Sequence, residues 1–249
     1  MQTVEQPYQT SDSISPSPHP STPPSNPLRN FFDTQHHRLI DKWDHYFDIY
    51  HKYFKKFRNS SSSSSPSHVH MLEIGVFQGG SIEMWRDYFG PDRCTIYGID
   101  INPNCKNIEN SYSNVKIFIG DQANKEFLKS VITQIPQLDI VLDDGGHKMV
   151  QQIVTFEALY PHIKYGGVYM CEDLHTSYWN EYGGGHKRYG TFIEYIKDYI
   201  DKLNAYHSRT PNFRVDSYTK TMDSLHFYDS IAVVKKSLSE KAAPFPIKK

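Results

Sequence analysis

The spacing of apolar residues changes character along this chain. From Leu39 they recur at helical intervals, at Leu39, Trp43, Phe47, Tyr50, Phe54 and Phe57. That spacing predicts one long amphipathic helix. Beyond a run of serines at 60–65 the pattern becomes short apolar segments, most of them closed by glycine or an acidic residue. These predict strands over 70–74, 95–99, 115–119, 138–142 and 167–171. Helices are predicted between them over 81–89, over 126–135, and around Val150, Ile153, Val154 and Ala158. A further long helix should turn Ile193, Ile196, Ile200 and Leu203 inward, and a hairpin should follow over 225–235.

A run of strand–helix units predicts an α/β fold: a Rossmann-like, mostly parallel sheet with helices on both faces. The hairpin adds two antiparallel strands, which makes seven in all. Four successive strands end in carboxylates: Asp100, then Asp121, then Asp143 and Asp144, then Glu172 and Asp173. Open α/β sheets bind ligands outside the carboxyl ends of their strands. These residues should therefore ring one crevice.

Composition adjusts the edges of this picture. Seven prolines and six serines with no Lys or Arg fill the first 28 residues, too little to build a core. The reading is a structureless tail over 1–30, a helical segment over 31–59, a serine-rich link over 60–68, a catalytic domain over 69–236 and a flexible tail over 237–249. Neither a basic leader nor an apolar signal core is visible, and no apolar run reaches membrane-spanning length. A net charge of −1 gives no positive field for nucleic acid. Cys94, Cys105 and Cys171 are scattered, with neither disulfide nor zinc spacing, so a reducing, cytoplasmic setting is expected. The aromatic amphipathic helix suits an edge cover, a wall of the site or self-association into a homo-oligomer.

Two local patterns carry chemistry. Glu73-Ile-Gly75-Val-Phe-Gln-Gly79-Gly80-Ser81 is a glycine-rich turn from strand to helix. It suits close backbone approach to a nucleotide-like ligand and an anion at the helix start, although its spacing is not the dinucleotide fingerprint. Asp100, about 25 residues on, can accept from ribose hydroxyls; Asp121 and Gln122 are placed for an adenine or its ribose. The second pattern is Asp143-Asp144-Gly145-Gly146-His147, matched by Glu172-Asp173 one strand later. Adjacent carboxylates repel and a cation relieves them. Oxygen ligands suit Mg²⁺ or Mn²⁺ rather than zinc, and His147 can take a proton from a hydroxyl near neutral pH. His175, Tyr178, Trp179 and His186, around Gly183-Gly184-Gly185, form a candidate substrate lid.

The segments LEIGVFQGGS, YGIDINP, IGDQ, DIVLDDGGH, GGVYMCEDLHTSYW and HFYDSIAVVKK resemble metal-dependent sugar O-methyltransferases of the class I S-adenosylmethionine-dependent fold. These are relatives of the macrolide deoxysugar O-methyltransferases and the cephalosporin-hydroxylase-like group. The helix KWDHYFDIYHKYF resembles their amino-terminal segment, and the likeness spans roughly residues 30 to 236. It implies S-adenosyl-L-methionine at Glu73, Gly75, Gly79, Asp100, Asp121, Gln122 and Asp143. It also implies Mg²⁺ on Asp144, Glu172 and Asp173, with His147 as general base. The implied reaction is methyl transfer to a hydroxyl of a sugar or glycan. A catechol-like diol, a hydroxylase and a non-catalytic cofactor-binding module are the alternatives.

Overall fold

A computed structural model describes residues 26–34, 37–58 and 68–247. The serine run lies outside the described residues. Seven strands form one sheet in the order β3-β2-β1-β4-β5-β7-β6. They are β1 (Val69–Ile74), β2 (Cys94–Asp100), β3 (Val115–Ile119), β4 (Leu138–Asp143), β5 (Ile163–Cys171), β6 (Met222–Tyr228) and β7 (Ile231–Lys236). The first five run parallel, and β7 inserts antiparallel between β5 and β6. Chain order reverses between β1 and β4, so the sheet has its crevice there.

The helices are α1 (Pro27–Thr34), α2 (Tyr46–Arg58), α3 (Gly80–Phe89), α4 (Lys125–Ile132), α5 (Met149–Leu159), α6 (Phe192–Asn204) and α7 (Ser217–Thr221). Asn124 caps α4 and Thr191 caps α6, each accepting backbone N–H bonds that the first turn cannot satisfy itself. Against one face of the sheet α1, α2 and α3 pack with Met71, Ile96, Ile140 and Met170. Against the other, α4, α5 and α6 pack with Leu72, Ile99, Val141 and Tyr169.

The amino-terminal reading needs correction twice. Residues 39–45 are not helical; α2 begins only at Tyr46, and Leu39 and Trp43 are largely exposed. What continues the helical spacing is a strap that crosses the crevice. In addition, α1 starts at Pro27, inside the stretch read as structureless, and Leu28 is fully buried in the core. The aromatic face of α2 is likewise spent inside the protein, with Tyr46, Phe47, Tyr50 and Phe54 buried, so it is not a free face for self-association. At the other end, the chain expected to be flexible from 237 is tied back by Ser237 N–H to Thr221 O and Lys241 N–H to Lys220 O.

Two helix faces also differ from the apolar count. Val150 and Ile200 are exposed, while Phe156, Leu159, Phe192 and Tyr199 are buried. Aromatic residues carry more burial than the β-branched residues that set the count. No helix among the described residues is long and apolar enough to cross a membrane.

Candidate active site

The strand period decides which carboxylates meet. Successive side chains leave a strand on opposite faces. Asp143 therefore goes with Tyr169 on the α5 face, while Asp144 follows Ile140 and Leu142 toward α2. The neighbours in sequence are not the neighbours in space. Asp144 instead faces Glu172, from the end of β5, with the Lys42 ammonium between them. The repelling pair read from the sequence as Asp143–Asp144 is in the structure Asp144–Glu172.

Asp143 is held behind the wall. Gln122 Nε2 donates to it at 2.9 Å and Tyr169 Oη at 3.1 Å. The same Gln122 accepts from Gly146 N–H at 2.8 Å, so it clasps the loop that carries His147 and also lines the cavity. Glu73 is buried on the opposite face, accepting from Ser81 Oγ at 2.9 Å and Trp85 Nε1 at 3.2 Å. Burial pushes both carboxyls, Asp143 and Glu73, up to about 7. Neither lines the cavity, and nor does Gly79, which caps α3 in a left-handed conformation. All three were expected to touch the cofactor; in the structure they lie behind the cavity wall.

The cavity itself has a volume of about 510 Å³, of the size that takes a small molecule. Its cofactor-like end is the β1 turn with Asp100 and Asp121. Gly75 has φ +88, and a Cβ there would sit 1.9 Å from the Asp144 carbonyl oxygen. The turn after β1 and the turn after β4 can touch only because this residue is glycine. Asp100 Oδ2 accepts from Val76 N–H at 2.9 Å and Phe77 N–H at 3.0 Å, and its Oδ1 accepts from Asn102 N–H. It shapes the turn while remaining on the cavity wall. Asp121 is exposed at the wall; the cap of α4 is Asn124, not Asp121.

The other end of the cavity holds a candidate metal centre. One ligand atom from each of Asp144, His147 and Asp173 lies within 4.8 Å of the others. His147 Nε2 is 3.4 Å from Asp173 Oδ2, and Tyr46 Oη donates to Asp173 Oδ1 at 2.8 Å. Both His147 and Asp173 sit at φ 55, a conformation uncommon outside glycine and asparagine and found where a site over-determines the backbone. The buried Nδ1 of His147 has no hydrogen-bond partner among the described residues. A carboxylate-rich set with one imidazole and an unsatisfied ring nitrogen fits a hard divalent ion. Glu172, expected as a third carboxylate ligand, lines the same cavity and accepts from Lys42 Nζ at 2.9 Å and Tyr50 Oη at 2.5 Å. Burial, and then Asp144, push its carboxyl well up; burial also raises Asp144, against the attraction of Lys42.

Of the expected lid, only His175 lines this cavity. Its ring lies 4.7 Å from that of Trp43 at 12° and 4.6 Å from that of Trp179. Tyr178 lines a neighbouring hollow with His175; Trp179 and His186 are exposed and outside both walls. The residues that sequence reasoning missed are Lys42, Trp43, Tyr46 and Tyr50, which lie inside the segment read as one amphipathic helix.

The strand order, the reversal between β1 and β4 and the glycine turn at that reversal define a class I S-adenosylmethionine-dependent methyltransferase fold. No protein-family model matches the chain. Mycinamicin VI 2''-O-methyltransferase of Micromonospora griseorubida is 32% identical over 206 residues, covering 77% of this chain and 48% of that protein. Demethylmacrocin O-methyltransferase of Streptomyces fradiae is 31% identical over 217 residues, covering 82% and 52%. The MycE methyltransferase of the mycinamycin biosynthetic pathway, solved in complex with Mg and SAH, superposes with a TM-score of 0.71 at 29% identity, covering 85% of this chain and 53% of that one. The chain is related to the macrolide and polyketide sugar O-methyltransferases, and it spans about half the length of the relatives it matches.

Proposed function

We propose that the chain transfers a methyl group from S-adenosyl-L-methionine to a hydroxyl of a sugar or glycan, assisted by Mg²⁺ or Mn²⁺. The observation that carries this reading is the convergence of Asp144, His147 and Asp173 on a cavity that also reaches the Gly75 turn, Asp100 and Asp121. The named relatives are O-methyltransferases, and the MycE structure holds Mg and SAH.

Methyl transfer from a sulfonium is an in-line displacement, so much of the rate comes from alignment. Asp100 and Asp121 would receive the cofactor's ribose and base end, with the Gly75 turn bringing backbone close to its amino-acid end. Asp144 and Asp173 would hold the divalent ion, which would supply Lewis-acid activation of a substrate hydroxyl. His147 stands at the same point to take the hydroxyl proton. Substitution of His147 separates a role as base from a role as ligand. His175, backed by Trp43, offers an aromatic wall for a sugar face. A reducing, cytoplasmic setting accords with three free, buried cysteines.

The test is to incubate the protein with methyl-labelled cofactor, Mg²⁺ and a panel of free sugars, glycosides and catechols. Label on sugars supports the reading. Label on catechol alone moves the function to a different diol, and folded protein that labels none of them while binding cofactor makes it a binding module.

A further inference from the structure

The turn between β6 and β7 contains a residue that its backbone does not favour. Asp229 and Ser230 form that turn, between the paired Tyr228 and Ile231. Ser230 has φ 62, and a turn with positive φ at its second central position usually takes glycine or asparagine there. Serine brings a hydroxyl instead, and the hydroxyl is spent on His175. Ser230 Oγ accepts from the His175 backbone N–H at 3.2 Å and lies 2.6 Å from His175 Nδ1. The Ser230 carbonyl accepts from Leu174 N–H at 3.0 Å, which joins the turn to the loop after β5.

The His175 ring is fixed in plane as well as in rotation. Trp43 stacks on it at 4.7 Å and 12°, and Trp179 meets it at 4.6 Å and 65°. The ring lines the cavity. With Nδ1 taken by Ser230, the ring nitrogen left for a ligand is Nε2, which forms no hydrogen bond among the described residues.

We propose that His175 is a substrate-binding residue that sets which hydroxyl of the acceptor is methylated, and that Ser230 is the positioning residue that aims it. This rests on methyl transfer to a sugar hydroxyl, the reading above. A sugar presents several neighbouring hydroxyls of similar reactivity. Transfer to one of them requires the acceptor to be held by a contact besides the reacting oxygen. A hydroxyl both donates and accepts, so Nε2 pairs with a second hydroxyl in either tautomer of the ring.

A ring that only packed between Trp43 and Trp179 would need no such turn. Glycine at 230 would close the hairpin without strain, and a phenyl at 175 would fill the same space. Orientation of an imidazole through its far nitrogen is instead the way proteins fix a functional histidine.

The experiment compares wild type, His175→Phe and Ser230→Gly on the full chain. The acceptor is the methyl hexoside that wild type labels best, and the position of the new methyl group is read by NMR. His175→Phe should raise the acceptor KM about three- to tenfold through loss of one hydrogen bond, and spread the methyl over neighbouring positions. Its SAH and Mn²⁺ affinities, measured by calorimetry, should match wild type. Ser230→Gly should move KM and the isomer ratio the same way by a smaller factor, with the melting temperature held because glycine suits φ 62. Unchanged KM and an unchanged isomer ratio in His175→Phe overturn the proposal and leave methyl transfer standing. SAH or Mn²⁺ affinity that falls in step with KM makes the ring a structural support and overturns it as well. If His175→Phe fails to fold, Ser230→Gly decides, and wild-type KM and isomer ratio there reject the proposal. If wild type labels no sugar or glycoside, the methyl-transfer reading falls and takes the proposal with it.

Discussion

The two ends of the crevice arrange their carboxylates by opposite means. Around Gly75, Asp100 and Asp121, the protein uses backbone and partly exposed carboxylates. Asp100 receives three backbone N–H bonds, and Asp121 lies at the surface. Around Asp144 and Glu172, carboxylates are concentrated in the interior, where burial raises them and Lys42 holds them together. A carboxylate that keeps contact with water and backbone donors needs no counter-ion from the chain. A buried group of carboxylates persists only with a cation supplied by the chain or the solution. The first end should therefore respond to substitution in proportion to lost hydrogen bonds, and the second as a coupled unit.

The largest expected effect is at the second end. His147→Ala should slow single turnover by about 10²–10⁴-fold if the ring is the base, with Mn²⁺ affinity retained. A parallel loss of Mn²⁺ affinity would make His147 a ligand, and full single-turnover activity would remove it from the chemistry. Asp144→Asn comes next. Replacing a charged ligand oxygen should weaken Mn²⁺ by at least the about 10–100-fold lost when an outer-shell partner is removed. Excess Mg²⁺ should restore part of the rate, which it should not do for His147→Ala. Calorimetry and rates on the two variants together separate metal holding from proton removal.

At the first end, Asp100→Ala should cost about 1.5–3 kcal/mol of cofactor affinity if ribose bonds form. Because Asp100 also accepts from Val76 and Phe77, the variant should loosen the glycine turn, seen as faster amide exchange at those two residues. Unchanged affinity measured by calorimetry rejects the ribose assignment.

The frame behind the cavity gives a pH signature. Glu73 has a folded-state pKa of about 7 against an ordinary 4.5, chiefly through burial. The folded protein thus holds a proton that the unfolded chain releases, and stability from this group falls as pH rises from about 4.5 to about 7. Glu73→Gln keeps an acceptor for Trp85 and lets Ser81 accept in turn. Its melting temperature should decline less than that of wild type between pH 5 and pH 8, a difference of up to about 3 kcal/mol. Parallel melting curves would show that Glu73 does not titrate in this range.

The smallest effect is at the amino terminus. Deleting residues 1–25 should leave the melting temperature unchanged, whereas deleting 1–34 should remove about 1.5–3 kcal/mol with Leu28 alone. Thermal unfolding of the two truncations locates the true edge of the domain, and equal melting temperatures would take Leu28 out of the core's energetics.

The sequence by itself determined the sheet and the address of the site. Five buried parallel strands show as apolar runs because both their faces are covered, and their closing residues mark the crevice because the polypeptide must turn there. Asp100, Asp121, Asp144, His147, Glu172 and Asp173 all line one cavity, as strand-end position implied. Tertiary structure alone decided which of these carboxylates face one another and what neutralises them. The two-residue period of β4 separates Asp143 from Asp144, but only the fold brings one to Gln122 and Tyr169 and the other to Lys42. Lys42 itself precedes Glu172 by 130 residues. Helical spacing from Leu39 to Phe57 could not reveal that the first part of the stripe is not helical, because contact with Gly80 and His175 competes with local helix propensity and wins. Propensity and periodicity act between near neighbours, whereas charge pairing in a buried site is settled by whichever groups the fold brings within a few ångströms.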